Sequence, residues 1–203
     1  VLIGGVTAEN TDTFAALSVD GRVIVPAVLG VVLLILMLLL RAVVAPLYLV
    51  ATVVLSFGFA LGASRVIFTQ ILGQDAIEPS LATFAFIFLV ALGVDYNIFL
   101  ISRVREEHMR LGIKDGVISA LEKTGGVITS AGLILAGTFM TLAILPLESL
   151  LQVGVTIALG LLVDTFLVRV ILVPSIAFQL GELNWWPARV RPPATAGTPS
   201  SDR

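Results

Sequence analysis

The sequence contains no cysteine, one histidine, and only two lysines among its twelve basic residues. Without cysteine there is no disulfide framework, no thiolate nucleophile and no Cys-ligated metal. One histidine without a His/Glu cluster argues against a zinc site. No Gly-x-Ser-x-Gly turn, Walker loop or paired-histidine motif occurs, so neither enzymatic chemistry nor an ATP-driven step is expected. No metal, cofactor or nucleic-acid partner is expected either. The excess of arginine over lysine hints at a GC-rich coding genome.

Charge is scarce as well. Only 13% of the 203 residues are charged, against about 25% in a soluble domain. What fills the chain is apolar: 58% of it is hydrophobic. Such a composition reads as an integral membrane protein with an all-α fold, a polytopic bundle of membrane-spanning helices. Its net charge of −2 says little, because the placement of charges matters more than their sum.

The first twenty residues lack a signal peptide's pattern. They carry Glu9, Asp12 and Asp20 and no basic region before an apolar core. With no initiator methionine, the chain is expected to be part of a larger protein. Residues 1–21 are polar and turn-rich, the tail of a water-exposed domain, with one strand and a short helix over Thr11–Leu17.

Five apolar runs follow, at about 23–40, 45–63, 80–101, 127–147 and 150–178. The first, with eighteen uncharged residues, is long enough to cross about 27 Å as a helix, and Pro26 falls in its first turn. Gly58 and Gly62 form a small-xxx-small pair that permits close helix approach. Val66–Leu72 either extends the second helix or lies at the interface. Residues 103–124 read as a cytoplasmic amphipathic segment, because Ile113, Val117 and Leu121 recur every fourth position among charges. The fifth run is interrupted by Asp164, Arg169 and Pro174. Trp185 and Trp186 read as an interfacial aromatic anchor. Residues 181–203 are assigned to a cytoplasmic tail, disordered from Ala188 onward.

Five spans alternate the connecting segments between two sides. One side receives Arg41, Arg103, Arg105, Arg110, Lys114, Lys123, Arg169, Arg189, Arg191 and Arg203; the other receives Arg22 and Arg65. That asymmetry places the first set and the C-terminus in the cytoplasm, and the N-terminus outside. An outside N-terminus without a signal peptide implies an earlier span upstream.

The acids inside the runs are the informative residues. A carboxylate near the middle of a membrane helix costs about 2.5–3.5 kcal/mol on insertion scales. Asp95 lies eight residues before Arg103, roughly 12 Å inside the cytoplasmic end of its helix. Asp164 lies fourteen residues after Leu150, again in the cytoplasmic half. Thr129 and Ser130 stand at a similar depth on the fourth run. Asp, Thr/Ser and Asp at one level are what a proton or ion relay needs. Asp95, Tyr96 and Asp164 are therefore the candidate relay, with Thr129 and Ser130 as candidate support. No base shares the depth of Asp95. Arg169 is five residues from Asp164, roughly 140° around an α-helix, so the two are not expected to pair. Arg169 reads as a structural or interfacial charge that snorkels to the cytoplasmic face. His108 reads as a solvated cap residue, and Phe84, Phe86, Phe88 and Phe99 as lipid-facing or packing residues.

Gly93-Val94-Asp95-Tyr96-Asn97-Ile98-Phe99-Leu100-Ile101-Ser102-Arg103 resembles the Asp-Tyr span of the large mycobacterial membrane protein (MMPL) family of the resistance–nodulation–division superfamily. Gly5–Asn10 resembles the end of that family's second extracytoplasmic porter domain, Thr129–Phe139 its penultimate span, and Leu161–Arg169 with Val173-Pro174 its last. The resemblance covers residues 1–187. It implies the last five spans of the second half of a twelve-span transporter, with residues 1–21 ending a porter domain. It further implies proton-driven export of lipids or other hydrophobic molecules across the plasma membrane, often cell-envelope components of actinobacteria. Asp95 and Tyr96 would face a matching pair in the N-terminal half, the expected partner together with membrane lipids and the cargo. Superfamily members assemble differently, so a homo-oligomer stays open. Two non-exporter readings also remain at this stage: a sterol-sensing-like module and a protein-translocation accessory of the same superfamily.

Overall fold

The computed structural model describes residues 6–74 and 76–188, with side chains described from Val23 onward. Among the described residues there are five helices long and apolar enough to cross a membrane, and no strand of a sheet. The expected strand at the N-terminus, Asp75, and the tail beyond residue 188 lie outside the described residues.

The first helix, α1, runs Val6–Leu40 without a break. The short helix expected at Thr11–Leu17 is therefore part of the same helix that carries the first span, Val23–Leu40, and Pro26 sits inside that helix rather than in its first turn. Proline removes one i→i−4 bond there, which the rest of a 35-residue helix absorbs. Arg41, with φ +48°, ends α1. α2 is Val44–Val66, and a π-helical turn over Ile67–Ile71 prolongs it. α3 is Leu81–Leu111 and α4 is Ile113–Met140. A 3₁₀ turn over Thr141–Ile144 leads to α5, Glu148–Val163. α5 continues as a π-helix over Asp164–Leu172, then as α6, Val173–Leu180, and a 3₁₀ turn, Gly181–Trp185.

Residues 103–124 are not a separate helix on the membrane face. They are the adjoining ends of α3 and α4, divided at Gly112, whose φ of +81° is open to glycine and strained for other residues. Gly116 lets the two ends close: a Cβ there would stand 2.7 Å from the His108 backbone nitrogen.

α2, α3 and α5 form the centre of the bundle. α1 packs against α2 and α3, and α4 against α3 and α5. At Gly160 the three central helices meet, because a Cβ there would overlap Leu89 of α3 and crowd Ala60 of α2. The pair Gly58 and Gly62 plays no such part, since nothing lies within 4 Å of where their Cβ atoms would be. They face outward, and the close approach expected there is made at Gly160 instead.

Both ends of the bundle are tied by polar contacts. At one end the Gln152 side chain accepts from the Glu78 N–H at 2.7 Å and donates to the Ala76 carbonyl at 3.0 Å, which fixes the α2–α3 connection on α5. At the other end Glu107 is buried and accepts from Lys123 Nζ at 2.7 Å and Ser119 Oγ at 3.1 Å. Arg105 donates to the Leu40 carbonyl at 2.7 Å, capping α1.

Three expectations change at this end. His108 is buried, not solvated; its ring stacks on Trp185 with centroids 6.2 Å apart. Trp185 is buried as well, with the Arg105 guanidinium 5.5 Å from its ring centroid, so of the two tryptophans only Trp186 is exposed. Residues 181–187 are accordingly tied down at Asn184, Trp185 and Trp186 rather than being the start of a loose tail. Asn184 Nδ2 donates to the Ala177 and Gly181 carbonyls, and the Val43 N–H donates to the Trp186 carbonyl at 2.8 Å. An aromatic ring offers much apolar area to bury, and this one finds a site between α3 and the α1–α2 turn.

Candidate functional site

The site grows out of the widened turn in α5. In a π-helix the backbone bonds run i→i+5 rather than i→i+4; here the Val173 N–H bonds to the Val168 carbonyl. Pro174 stands just beyond, without an N–H to return to Val170. The turn therefore closes one residue later, and residues five apart stack. That is why Asp164 and Arg169 do pair. Arg169 Nη2 donates to Asp164 Oδ2, where an α-helix would have turned the two side chains roughly 140° apart. Arg169 does not snorkel to an interface: it is 1% exposed and Asp164 is 4% exposed.

The pair is held from the two other central helices. Ser56 of α2 donates to Asp164 Oδ1 at 3.4 Å. On α3, the Gly93 carbonyl accepts from Arg169 Nη2 at 3.3 Å, and the Tyr96 ring lies under the guanidinium, 4.4 Å from Cζ to the centroid. That is cation–π distance, and such contacts gain when desolvated. α3 lies close to both partners at Gly93: a Cβ there would stand 3.4 Å from Val53 Cγ2 and 3.8 Å from Asp164 Oδ2, at ordinary contact distance.

Tyr96 and Asp164 thus meet through Arg169, a base that does share the depth of the Asp95–Tyr96 pair. Asp95 takes no part in this centre. It points out of the bundle, on an exposed stripe of α3 with Phe84, Phe88, Ala91 and Phe99. Of the four phenylalanines only Phe86 is interior, edge-on to Phe57.

Thr129 and Ser130 are not brought to the centre either. Ser130 is exposed and donates to the Val127 carbonyl at 3.0 Å; Thr129 is half-buried. α4 meets the π-helix at Gly132, where a Cβ would overlap Thr165. Ser and Thr hydroxyls in helices usually return to their own backbone, and depth along the axis does not fix which face a residue presents.

Ser56, Gly93 and Asn97 were not anticipated. Asn97 is 1% exposed, and neither its Nδ2 nor its Oδ1 has a hydrogen-bond partner. Its signal was an amide in an apolar run directly after Asp95-Tyr96. Ser56 had only a weaker one, a lone hydroxyl in the second run.

With a buried acid–base pair on a widened turn and an acid on the exposed face of α3, comparison with known proteins becomes informative. The model of the MMPL family matches residues 1–198. The chain belongs to the MMPL family. A membrane protein of Streptomyces coelicolor is 49% identical to this MMPL chain over 196 residues, 97% of this chain and 28% of that protein. The apo-petrobactin exporter of Bacillus anthracis is 45% identical over 188 residues, 93% of this chain and 25% of the exporter. The sulfolipid-1 exporter MmpL8 of Mycobacterium tuberculosis is 48% identical over 174 residues, 85% of this chain and 16% of the exporter. The chain thus spans between about a sixth and just over a quarter of the length of these curated relatives.

Proposed function

We propose that this bundle is the C-terminal transmembrane part of a proton-driven MMPL exporter of lipids or other hydrophobic compounds, with Asp164, Tyr96 and Asp95 in the proton path. The observation that carries the reading is the Asp164–Arg169 pair inside the bundle, shared with the Tyr96 ring and the Gly93 carbonyl. A buried ion pair is poor evidence for stability, because desolvation offsets its attraction. An ionisable group inside a membrane marks a proton or ion path by default. The π-helical turn points the same way, since such turns are frequent at functional sites.

Protonation of Asp164 removes the charge that holds Arg169. The guanidinium then keeps the Gly93 carbonyl and the Tyr96 ring without its counter-charge, and the packing of α5 against α3 changes with it. A ligand or proton shifts a two-state equilibrium by its differential affinity for the two states, and a bound proton distinguishes these two.

Asp95 belongs to the same path from the other side of α3. An acid on an apolar, exposed helix face in hydrocarbon is costly. Cover by a segment of the larger protein, its N-terminal half in this reading, removes that cost. The sulfolipid-1 and apo-petrobactin exporters among the relatives support export as the activity. The excess of arginine and lysine at the Gly112 end supports a cytoplasmic location for that end, with the opposite end outside the plasma membrane.

The test is export by the intact protein in proteoliposomes under an imposed pH gradient, with intravesicular pH read by a dye. Asp164→Asn and Asp95→Asn should each abolish cargo-coupled proton flux while the protein still elutes as a folded species. Undiminished flux in Asp164→Asn would overturn the reading.

A further inference from the structure

Three interior polar groups have no hydrogen-bond partner near the Asp164–Arg169 pair: Arg169 Nε and the two ends of the Asn97 amide. Leaving one such group unsatisfied costs about 1–3 kcal/mol, and Asn97 is nearly inaccessible. Its position is specific. Asn97 is one turn from Gly93 on α3, so both lie on the face that meets Val53 and Asp164. Helical side chains lean back over the turn before their own Cα. The Asn97 amide therefore leans toward the turn of α3 on which Arg169 rests, between the Gly93 carbonyl and the Tyr96 ring.

We infer that Asn97 Oδ1 is the second acceptor for the Arg169 guanidinium, taken up when Asp164 carries a proton. Two partners in alternation explain why an amide is kept unpaired in the interior, since its acceptor is in use in only one of two states. The inference rests on the proton-driven reading above. The step balances simply. One O–H bond forms on the Asp164 carboxylate, one breaks on a hydronium ion, and water is left behind. Arg169 keeps its own protons throughout and moves its N–H donors from carboxylate to amide oxygen. Asn97 is thus a positioning residue that acts through Arg169.

The groups facing this centre are few. Asp164 and Arg169 come from the π-helix of α5, and Tyr96 from α3; α2 offers only the Ser56 hydroxyl, and α4 places Gly132 against Thr165. α1 approaches α2 and α3 with apolar residues, and Asp95 faces away. Among these, Asn97 brings the buried amide acceptor that has no partner.

The experiment compares Asn97→Leu, Asn97→Gln and Asp164→Asn in the intact protein reconstituted in vesicles. Asn97→Leu removes the amide while keeping the same branching and heavy-atom count, and should lower proton flux about tenfold or more, the scale of one hydrogen bond to a charged group. Asn97→Gln keeps the acceptor and should restore most of the flux. In infrared difference spectra between alkaline and acidic buffer, the guanidinium band should move to the same acidic position in the natural protein and in Asn97→Gln, and to a different one in Asn97→Leu, where the released guanidinium finds no amide oxygen. Should the leucine variant misfold, Asn97→Ala takes its place with the same expected flux and band position. Asp164→Asn separates the two ideas. If it abolishes flux while Asn97→Leu keeps both the flux and the acidic band position of the natural protein, this inference fails alone. If Asp164→Asn leaves flux intact, the proton-driven reading fails first.

Discussion

Two carboxylates are buried among the described residues, and they are held in opposite ways. Glu107, where α3 turns into α4, meets Lys123 at 2.7 Å and Arg103 at 3.3 Å, with Ser119 on its second oxygen. Those cations are a third or more exposed, so water shares the work. Asp164, inside the membrane-spanning part, has one cation, and that cation is shared with a carbonyl and an aromatic ring. Glu107 is over-determined: losing one partner leaves others, and its charge is fixed. Asp164 is under-determined: one proton decides whether its only base stays. The first arrangement suits a clamp between two helix ends. The second suits a switch.

Removing the base should break this contrast most visibly. Arg169→Leu leaves Asp164 buried without its partner, and breaking a buried pair from one side costs about 3–5 kcal/mol. The thermal midpoint in detergent should fall steeply, and proton-coupled export should be lost. Adding Asp164→Asn on that background should recover part of the stability and none of the export. Measuring both single variants and the double one gives the coupling between the two residues directly.

The clamp predicts a different pattern. Glu107→Gln should lower the thermal midpoint less than Arg169→Leu, and export per folded molecule should stay at the natural level. Raising the salt concentration should narrow the stability difference, since partly exposed partners are screened. Loss of export at full folding would erase the distinction between clamp and switch.

How much of this could be read beforehand follows from the kind of signal each feature leaves. Long apolar runs announce helices, so five spans and a helical membrane fold were plain. The Asp95-Tyr96 string and the last-span motif, with Asp164 and Pro174, were enough for the family. The pairing of Asp164 with Arg169 was misjudged because side-chain spacing was converted to angle with α-helical geometry, and nothing in the residue pattern announces a π-helix. Pro174 was visible as an interruption but not as the neighbour of a widened turn. His108 was misjudged because a histidine among charges reads as wet. Its burial depends on Trp185, 77 positions further on in the chain. Pairings at that separation come from tertiary packing, which one sequence does not display.

A milder test concerns the second oxygen of Asp164. Ser56 donates to it over 3.4 Å, a long bond, so its net worth should sit at the low end of about 0.5–1.5 kcal/mol. Ser56→Ala should lower stability by that amount and reduce export severalfold at most. An effect as large as that of Arg169→Leu would mean that Ser56, not Arg169, governs the acid.

The smallest effect is expected where depth alone had suggested a role. Ser130 is exposed and returns its hydroxyl to the Val127 carbonyl, one turn back on its own helix. The α4 residue that reaches the π-helix is Gly132, against Thr165. Removing a hydroxyl that serves its own backbone on an outward face should change stability by no more than about 0.5 kcal/mol in either direction, and Ser130→Ala should export at the natural rate. Gly132→Ala is the matching positive control. Its added methyl meets Thr165, the residue next to Asp164, and should impair both folding and proton flux. If the pattern came out reversed, with Ser130→Ala inactive and Gly132→Ala silent, the proton path would run along the outer face of α4, and the pair inside the bundle would be a clamp like the one at Glu107.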